Sequence, residues 1–203
     1  MSVGIGYVAP VGLAAPRPEE LDVHPWHDIY IDDEQVDKAF PVVIEVPQGS
    51  KNKYELDKET GMLRLDRVLY SAVHYPANYG FIPRSYCDDG DPLDVLVLGQ
   101  EPVVPLSIVM SRPIGVMRMR DDKGIDDKIV AVNIYDPAVN EYTRHDQLPG
   151  HVLREMMRFF QDYKVLEHKE VVIDEPLGAD EAIEIVREAL ELYRKLRRGE
   201  LTP

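Results

Sequence analysis

From Phe40 the chain alternates. Val42, Ile44 and Val46 fall on one parity, with Val43, Glu45 and Pro47 on the other, and this predicts a strand with Glu45 facing away from the apolar set. Further short strands are predicted at 53–56, 62–66, 93–98, 106–110, 114–119 and 129–135. Turn signals such as Gln48-Gly49-Ser50 and Lys58-Glu59-Thr60-Gly61 separate them. The spacing suits a small antiparallel sheet or barrel better than alternating β-α units. After Pro149 the period changes. Val152, Leu153, Met156, Met157, Phe160 and Tyr163 recur at helical spacing, as do Ile183, Val186, Ala189, Leu190, Tyr193 and Leu196 after Asp180, read as an N-cap. Each helix has one apolar stripe to bury. Residues 1 to about 24 are rich in Pro and Gly without a sustained period, and residues 1–40 are read as an arm packing on a single domain at 41–203.

The 203 residues suffice for one sizeable core. No apolar run approaches bilayer length, and residues 1–16 lack the basic start of a secretory signal, so a cytoplasmic location and no membrane contact are expected. The single cysteine, Cys87, excludes an intrachain disulfide and a thiolate metal centre. A net charge of −14 opposes nucleic acid as a partner and requires an anionic substrate to arrive with metal ions or meet a basic cluster.

The chemistry concentrates in Asp88-Asp89-Gly90-Asp91-Pro92-Leu93-Asp94, four carboxylates in seven residues with no cation among them. Such crowding is costly unless the groups are solvated or share a cation. An EF-hand starting at Asp89 fails, because Leu93, Asp94 and Gln100 stand where a ligand, a glycine and a glutamate are required. Oxygen-only donors favour Mg²⁺ or Mn²⁺ over zinc, with a solvated acidic turn as the alternative. A second acidic run, Asp121-Asp122-Lys123-Gly124-Ile125-Asp126-Asp127-Lys128, is either a charged hairpin loop or the other side of a site with several metals. Lys53, Arg67 and the tyrosines of Tyr75-Pro76-Ala77-Asn78-Tyr79-Gly80 could serve phosphate oxygens, although each alone is an ordinary surface or half-buried residue. Phosphate-loop, dinucleotide and serine-hydrolase motifs are absent. His24 and His27 flank Pro25 without a further ligand set, and His145, His151 and His168 read as surface residues.

Asp89-Gly90-Asp91-Pro92-Leu93-Asp94-Val95 resembles the signature of the soluble family I inorganic pyrophosphatases. Val43–Pro47, Lys53–Asp57, Leu65–Arg67, Tyr75–Gly80 and Phe159–Lys164 resemble the family in the same order. His24-Pro25-Trp26-His27-Asp28 is similar to the segment before the barrel in longer, plant-like members. The resemblance implies a distorted five-stranded barrel of the OB type with C-terminal helices, hydrolysing pyrophosphate as its magnesium complex. It implies metal binding by Asp89, Asp94, Asp121, Asp126 and Glu45, several Mg²⁺ per site, with Mn²⁺ as a possible substitute. It assigns Asp91 as the general base, with Tyr79 and Arg67 also catalytic, and it assigns Lys53, Arg67, Lys128, Tyr163 and Lys164 to phosphate oxygens. Glu55 and Tyr75 complete the polar lining, and a homo-oligomer, a hexamer by preference, is implied. The rival readings are another metal-dependent phosphohydrolase acting on nucleotides or organic diphosphates, and a barrel serving only as a binding module.

Overall fold

A computed structural model describes residues 23–121, 124–168 and 171–201, with nothing described of the Asp121 side chain. Strands β1 (Phe40–Val46), β4 (Asn78–Phe81), β5 (Asp94–Leu98), β7 (Gly124–Asn133) and β6 (Ile108–Asp121) are hydrogen-bonded in that order, and β1 also pairs β6. The ring is therefore closed, a five-stranded barrel without free edges. Strands β2 (Asn52–Leu56) and β3 (Leu63–Val68) form a separate antiparallel ribbon, and β8 (Val172–Ile173) adds to β6. Helices α1 (Gly150–Asp162) and α2 (Ala179–Arg197) complete the fold.

The expectation of an antiparallel sheet needs one correction: β5 and β7 are parallel, with Asp94 opposite Lys128. The chain between them, which includes the whole of β6, supplies the long crossover such a pair requires. The segments predicted at 106–110 and 114–119 are one strand. Pro113 is accommodated where the register with β7 slips between Pro113 and Gly115, since a bulge spares the missing N–H. The α2 N-cap is Gly178, with Asp180 in the first turn, where its charge suits the helix dipole.

The strands are buried on both sides, and successive residues enter different clusters. Val95, Val97, Ile129 and Ala131 pack with Val186, Ala189 and Leu190 of α2, whereas Leu96, Leu98, Val130 and Val132 pack with Met156, Phe159 and Phe160 of α1. This two-sided burial explains why β5 and the end of β7 read as unbroken apolar runs. Gly80 allows β4 to lie against β1, because a Cβ there would stand 1.9 Å from the Val43 carbonyl oxygen. Of the segment before β1, Trp26, Ile31 and Val36 are buried against the body. Residues 1–22 of the proposed arm lie outside the described residues.

Candidate active site

Alternation along the barrel strands brings the acidic and basic residues to one face. Asp94 opens β5, Lys128 is its partner on parallel β7, and Asp126, two residues earlier, shares the face of Lys128. The Lys128 ammonium donates to Asp94 Oδ2 at 2.7 Å, to Asp126 Oδ1 and Oδ2 at 2.9 and 3.0 Å, and to the Tyr79 hydroxyl at 3.2 Å. It also lies 5.6 Å from the Tyr79 ring centroid and 5.5 Å from that of Phe160. Its side chain is only 3% exposed.

Burial opposes the charge on Lys128, but Asp94 and Asp126 outweigh it and keep the ammonium protonated well past the ordinary lysine range. The carboxylates remain in surplus. Burial, reinforced by Asp94 and Asp89, pushes Asp126 upward against the pull of Lys128. Burial, with Asp91 and Asp94, does the same to Asp89. Among the described residues no three metal-ligating side chains converge as a finished cation site, and Lys128 is the cation that Asp94 and Asp126 share. The donor chemistry nevertheless fits a hard divalent ion, being all oxygen and carrying more negative charge than one ammonium neutralises. The side chain of Asp121, an expected ligand, lies outside the described residues. Asp127 is engaged elsewhere, paired through both oxygens with Arg118 at 2.7 Å.

Glu45 does not stand on a solvated face, because every residue of β1 is buried. The register of β1 against β4 slips between Ile44 and Val46, so Glu45 is the extra residue of a bulge, a feature that re-aims side chains. It is 7% exposed, and its Oε1 accepts from the Leu56 amide at 2.7 Å, tying the barrel to the β2–β3 ribbon. Burial first, then Asp94, raises its pKa from 4.5 to about 8, with the Leu56 amide and Lys53 opposing. A carboxyl raised in this way binds a proton more tightly when folded, so the fold is progressively penalised as pH climbs from 4.5 to about 8. Glu45→Gln, which keeps an oxygen for Leu56, is expected to raise the melting temperature of chelator-treated protein at pH 9 and to leave it nearly unchanged at pH 5. Thermal scans at both pH values check this; equal shifts would contradict it.

The basic half comes from the ribbon. Lys53 and Arg67 are cross-strand partners. The Lys53 ammonium bonds Glu55 and lies 3.3 Å from Asp66, which also pairs with Arg67, while Arg67 Nε donates to Glu167 at 2.9 Å. Burial works against both cations, yet these carboxylates raise the pKa of each. Tyr75, Tyr79 and Tyr163 are buried in a chain of ring contacts with Phe159 and Phe160. Burial keeps Tyr75 and Tyr79 protonated, so each hydroxyl can donate. Lys164 follows the α1 C-cap Tyr163, its ammonium 5.2 Å from the Tyr163 ring centroid. Asp91 is at the exposed tip of the acidic loop, paired with Lys58.

Nothing in the linear sequence marks Lys58 or Glu167 for the site. Lys58 reads locally as a turn residue, and Glu167 lies 100 positions from Arg67, so no spacing rule reaches either. His145 is not a simple surface residue. It packs on Gly115, where a Cβ would be 2.9 Å from its Nδ1. Cys87 sits in a loop, and burial pushes its thiol upward, which disfavours a thiolate. A depression of about 920 Å³ lined by residues including His27, Asp33, Arg84, Tyr193, Arg194 and Arg197 shares no residue with the carboxylate cluster.

The family model described as inorganic pyrophosphatase matches residues 42–194. Soluble inorganic pyrophosphatase 2 of Chlamydomonas reinhardtii is 54% identical over 172 residues, covering 85% of this chain and 89% of that protein. The soluble inorganic pyrophosphatase of Zea mays is 52% identical over 181 residues, covering 89% and 84%. The crystal structure of inorganic pyrophosphatase from Thermus thermophilus superposes with a TM-score of 0.78 at 38% identity, covering 82% of this chain and 97% of that one. With a closed barrel, C-terminal helices and a carboxylate-rich face of the kind such an enzyme needs, the chain belongs to the inorganic pyrophosphatase family and is an inorganic diphosphatase.

Proposed function

We propose that this chain hydrolyses pyrophosphate as its magnesium complex, with Asp91 taking the proton of the attacking water. The observation that carries the reading is the Asp94–Lys128–Asp126 cluster, with Asp89 adding to its negative charge and a row of paired cations on the adjoining ribbon. Asp89, Asp94, Asp121, Asp126 and Glu45 would hold the divalent ions. When bound, such ions neutralise phosphate charge and make a water molecule more acidic.

The chain's own groups supply position and proton transfer. Lys53, Arg67, Lys128, Tyr163 and Lys164 bind phosphate oxygens, and the Tyr79 hydroxyl donates to the same region. Asp91 accepts a proton as the water oxygen bonds to one phosphorus, and the bond from that phosphorus to the bridging oxygen breaks, leaving two orthophosphates. The ion pairs of Lys53 and Arg67 pre-orient both cations for planar or tetrahedral anions, a cost otherwise met on binding.

Orthophosphate release from pyrophosphate with Mg²⁺ tests the reading, and absence of turnover would end it. Chelation is expected to abolish turnover, Mg²⁺ to restore it and Mn²⁺ to support it in part. Turnover undiminished by chelator would contradict the metal assignment. Nucleoside triphosphates and organic diphosphates in the same assay are expected to be poor substrates. A homo-oligomer, hexameric by preference, and a cytoplasmic location belong to the same proposal, and light scattering and cell fractionation check them.

A further inference from the structure

The acidic loop is tied to the segment ahead of the barrel. Trp26 Nε1 donates to the Ser85 carbonyl at 2.8 Å, and the Ser85 hydroxyl accepts from the Leu93 amide at 2.8 Å while donating to the Ile82 carbonyl at 2.6 Å. Ser85 is wholly buried, so these bonds fasten both ends of the loop bearing Asp89 and Asp91. The Arg84 amide donates to the Trp26 carbonyl at 2.8 Å, and Arg84 Nε to the His27 carbonyl at 2.9 Å.

The same segment holds the turn between β2 and β3. Gly61 has a φ of +68° and lies so near that a Cβ would be 3.0 Å from Pro25 Cδ and 3.2 Å from His24 Cδ2. His24 Nε2 is 3.1 Å from the Lys58 carbonyl oxygen. From this turn the Lys58 side chain passes the Trp26 ring, its ammonium 5.8 Å from the centroid, donates to the Gly90 carbonyl at 2.9 Å and pairs with Asp91 Oδ1. Behind Trp26, His27 stacks at 4.6 Å and its Nδ1 is 2.9 Å from the Tyr193 hydroxyl of α2.

We propose that Lys58 is a positioning residue for Asp91 and that His24–Asp28 is its support, an assignment that rests on Asp91 being the group that takes the water's proton. The Lys58 and Asp91 side chains are 45% and 55% exposed, and an ion pair that open contributes little to stability. Its consequence is geometric. The ammonium is held at three points, by the indole face, the Gly90 carbonyl and Asp91 Oδ1, and so restrains the carboxylate on an exposed stretch of loop. A misplaced base costs rate without costing substrate affinity.

The test compares Lys58→Gln, Lys58→Arg, Asp91→Asn and the Gln/Asn double variant in the magnesium–pyrophosphate assay. Lys58→Gln is expected to lower kcat about tenfold with KM within about twofold and little change in melting temperature. Lys58→Arg, which keeps a cation over the indole, recovers most of the rate. In the Asp91→Asn background Lys58→Gln changes the residual turnover by less than about twofold, because the two act as one unit. Trp26→Leu, which removes both the indole face under Lys58 and the bond to the Ser85 carbonyl, lowers kcat in the same sense. A wild-type kcat in Lys58→Gln, or an equal tenfold loss on top of Asp91→Asn, would overturn the assignment of Lys58. An inactive wild type, or a fully active Asp91→Asn, would instead remove the reading of the site beneath it.

Discussion

Asp91→Asn is expected to lower kcat for pyrophosphate by roughly 10²- to 10⁴-fold, the usual contribution of a positioned base. The amide keeps the shape of the side chain and loses only its ability to take a proton. Because Asp91 is half exposed and its partner Lys58 is a surface cation, the fold loses little, and the melting temperature should stay within about 2 °C of the parent. The side chain is also spared any role in the buried network, since Asp94 and Asp126 are the carboxylates bonded to Lys128. Initial-rate kinetics and a thermal scan on the same preparation separate the two effects. A rate within threefold of wild type would take the proton-transfer role away from Asp91.

The second large effect concerns stability. Lys128→Met preserves the apolar stem packed over Tyr79 and Phe160 and deletes only the ammonium. Asp94 and Asp126 are then left facing each other without a cation, a loss worth about 3–5 kcal/mol when such a partner is removed from a buried pair. Their side chains are 28% and 29% exposed, so water recovers part of this. The expected outcome near pH 8 is a fall in melting temperature on the order of 10 °C.

The sign with pH follows from the direction of the shifts. Asp126 is already raised above the ordinary aspartate value, and deleting Lys128 removes the opposing influence. A raised carboxyl binds more protons folded than unfolded, so the penalty grows as pH rises above the ordinary aspartate range and shrinks as pH falls towards it. Chelator-treated Lys128→Met should therefore differ less from its parent at pH 5 than at pH 8. Equal losses at both would show that packing, rather than charge, is what Lys128 contributes.

Lys128 also shows how far linear order can be read. That it stands in an acidic run was visible at once, and residues Asp126 and Lys128 share a parity. Its partner Asp94 is 34 positions away and meets it through a parallel strand pair, which leaves no local trace. The strand Asn78–Phe81 leaves little trace for a related reason: it is four residues long and contains Gly80, a poor strand former in isolation that is required by the close approach of β1. Glu45 is legible as a carboxylate in a strand, but the bulge in which it stands depends on β4.

The acidic loop, the strand and helix periods and the family resemblance are legible in linear order, because contiguous charge, parity and ordered motifs are properties of neighbouring residues. Ring closure through β1 and β6, the parallel β5–β7 pair, the burial of Glu45 and the junction of Trp26, Lys58 and Asp91 arise only once the chain has folded. Each depends on which distant segments become neighbours, and that is settled by the joint burial of both sheet faces, which no single stretch of chain encodes.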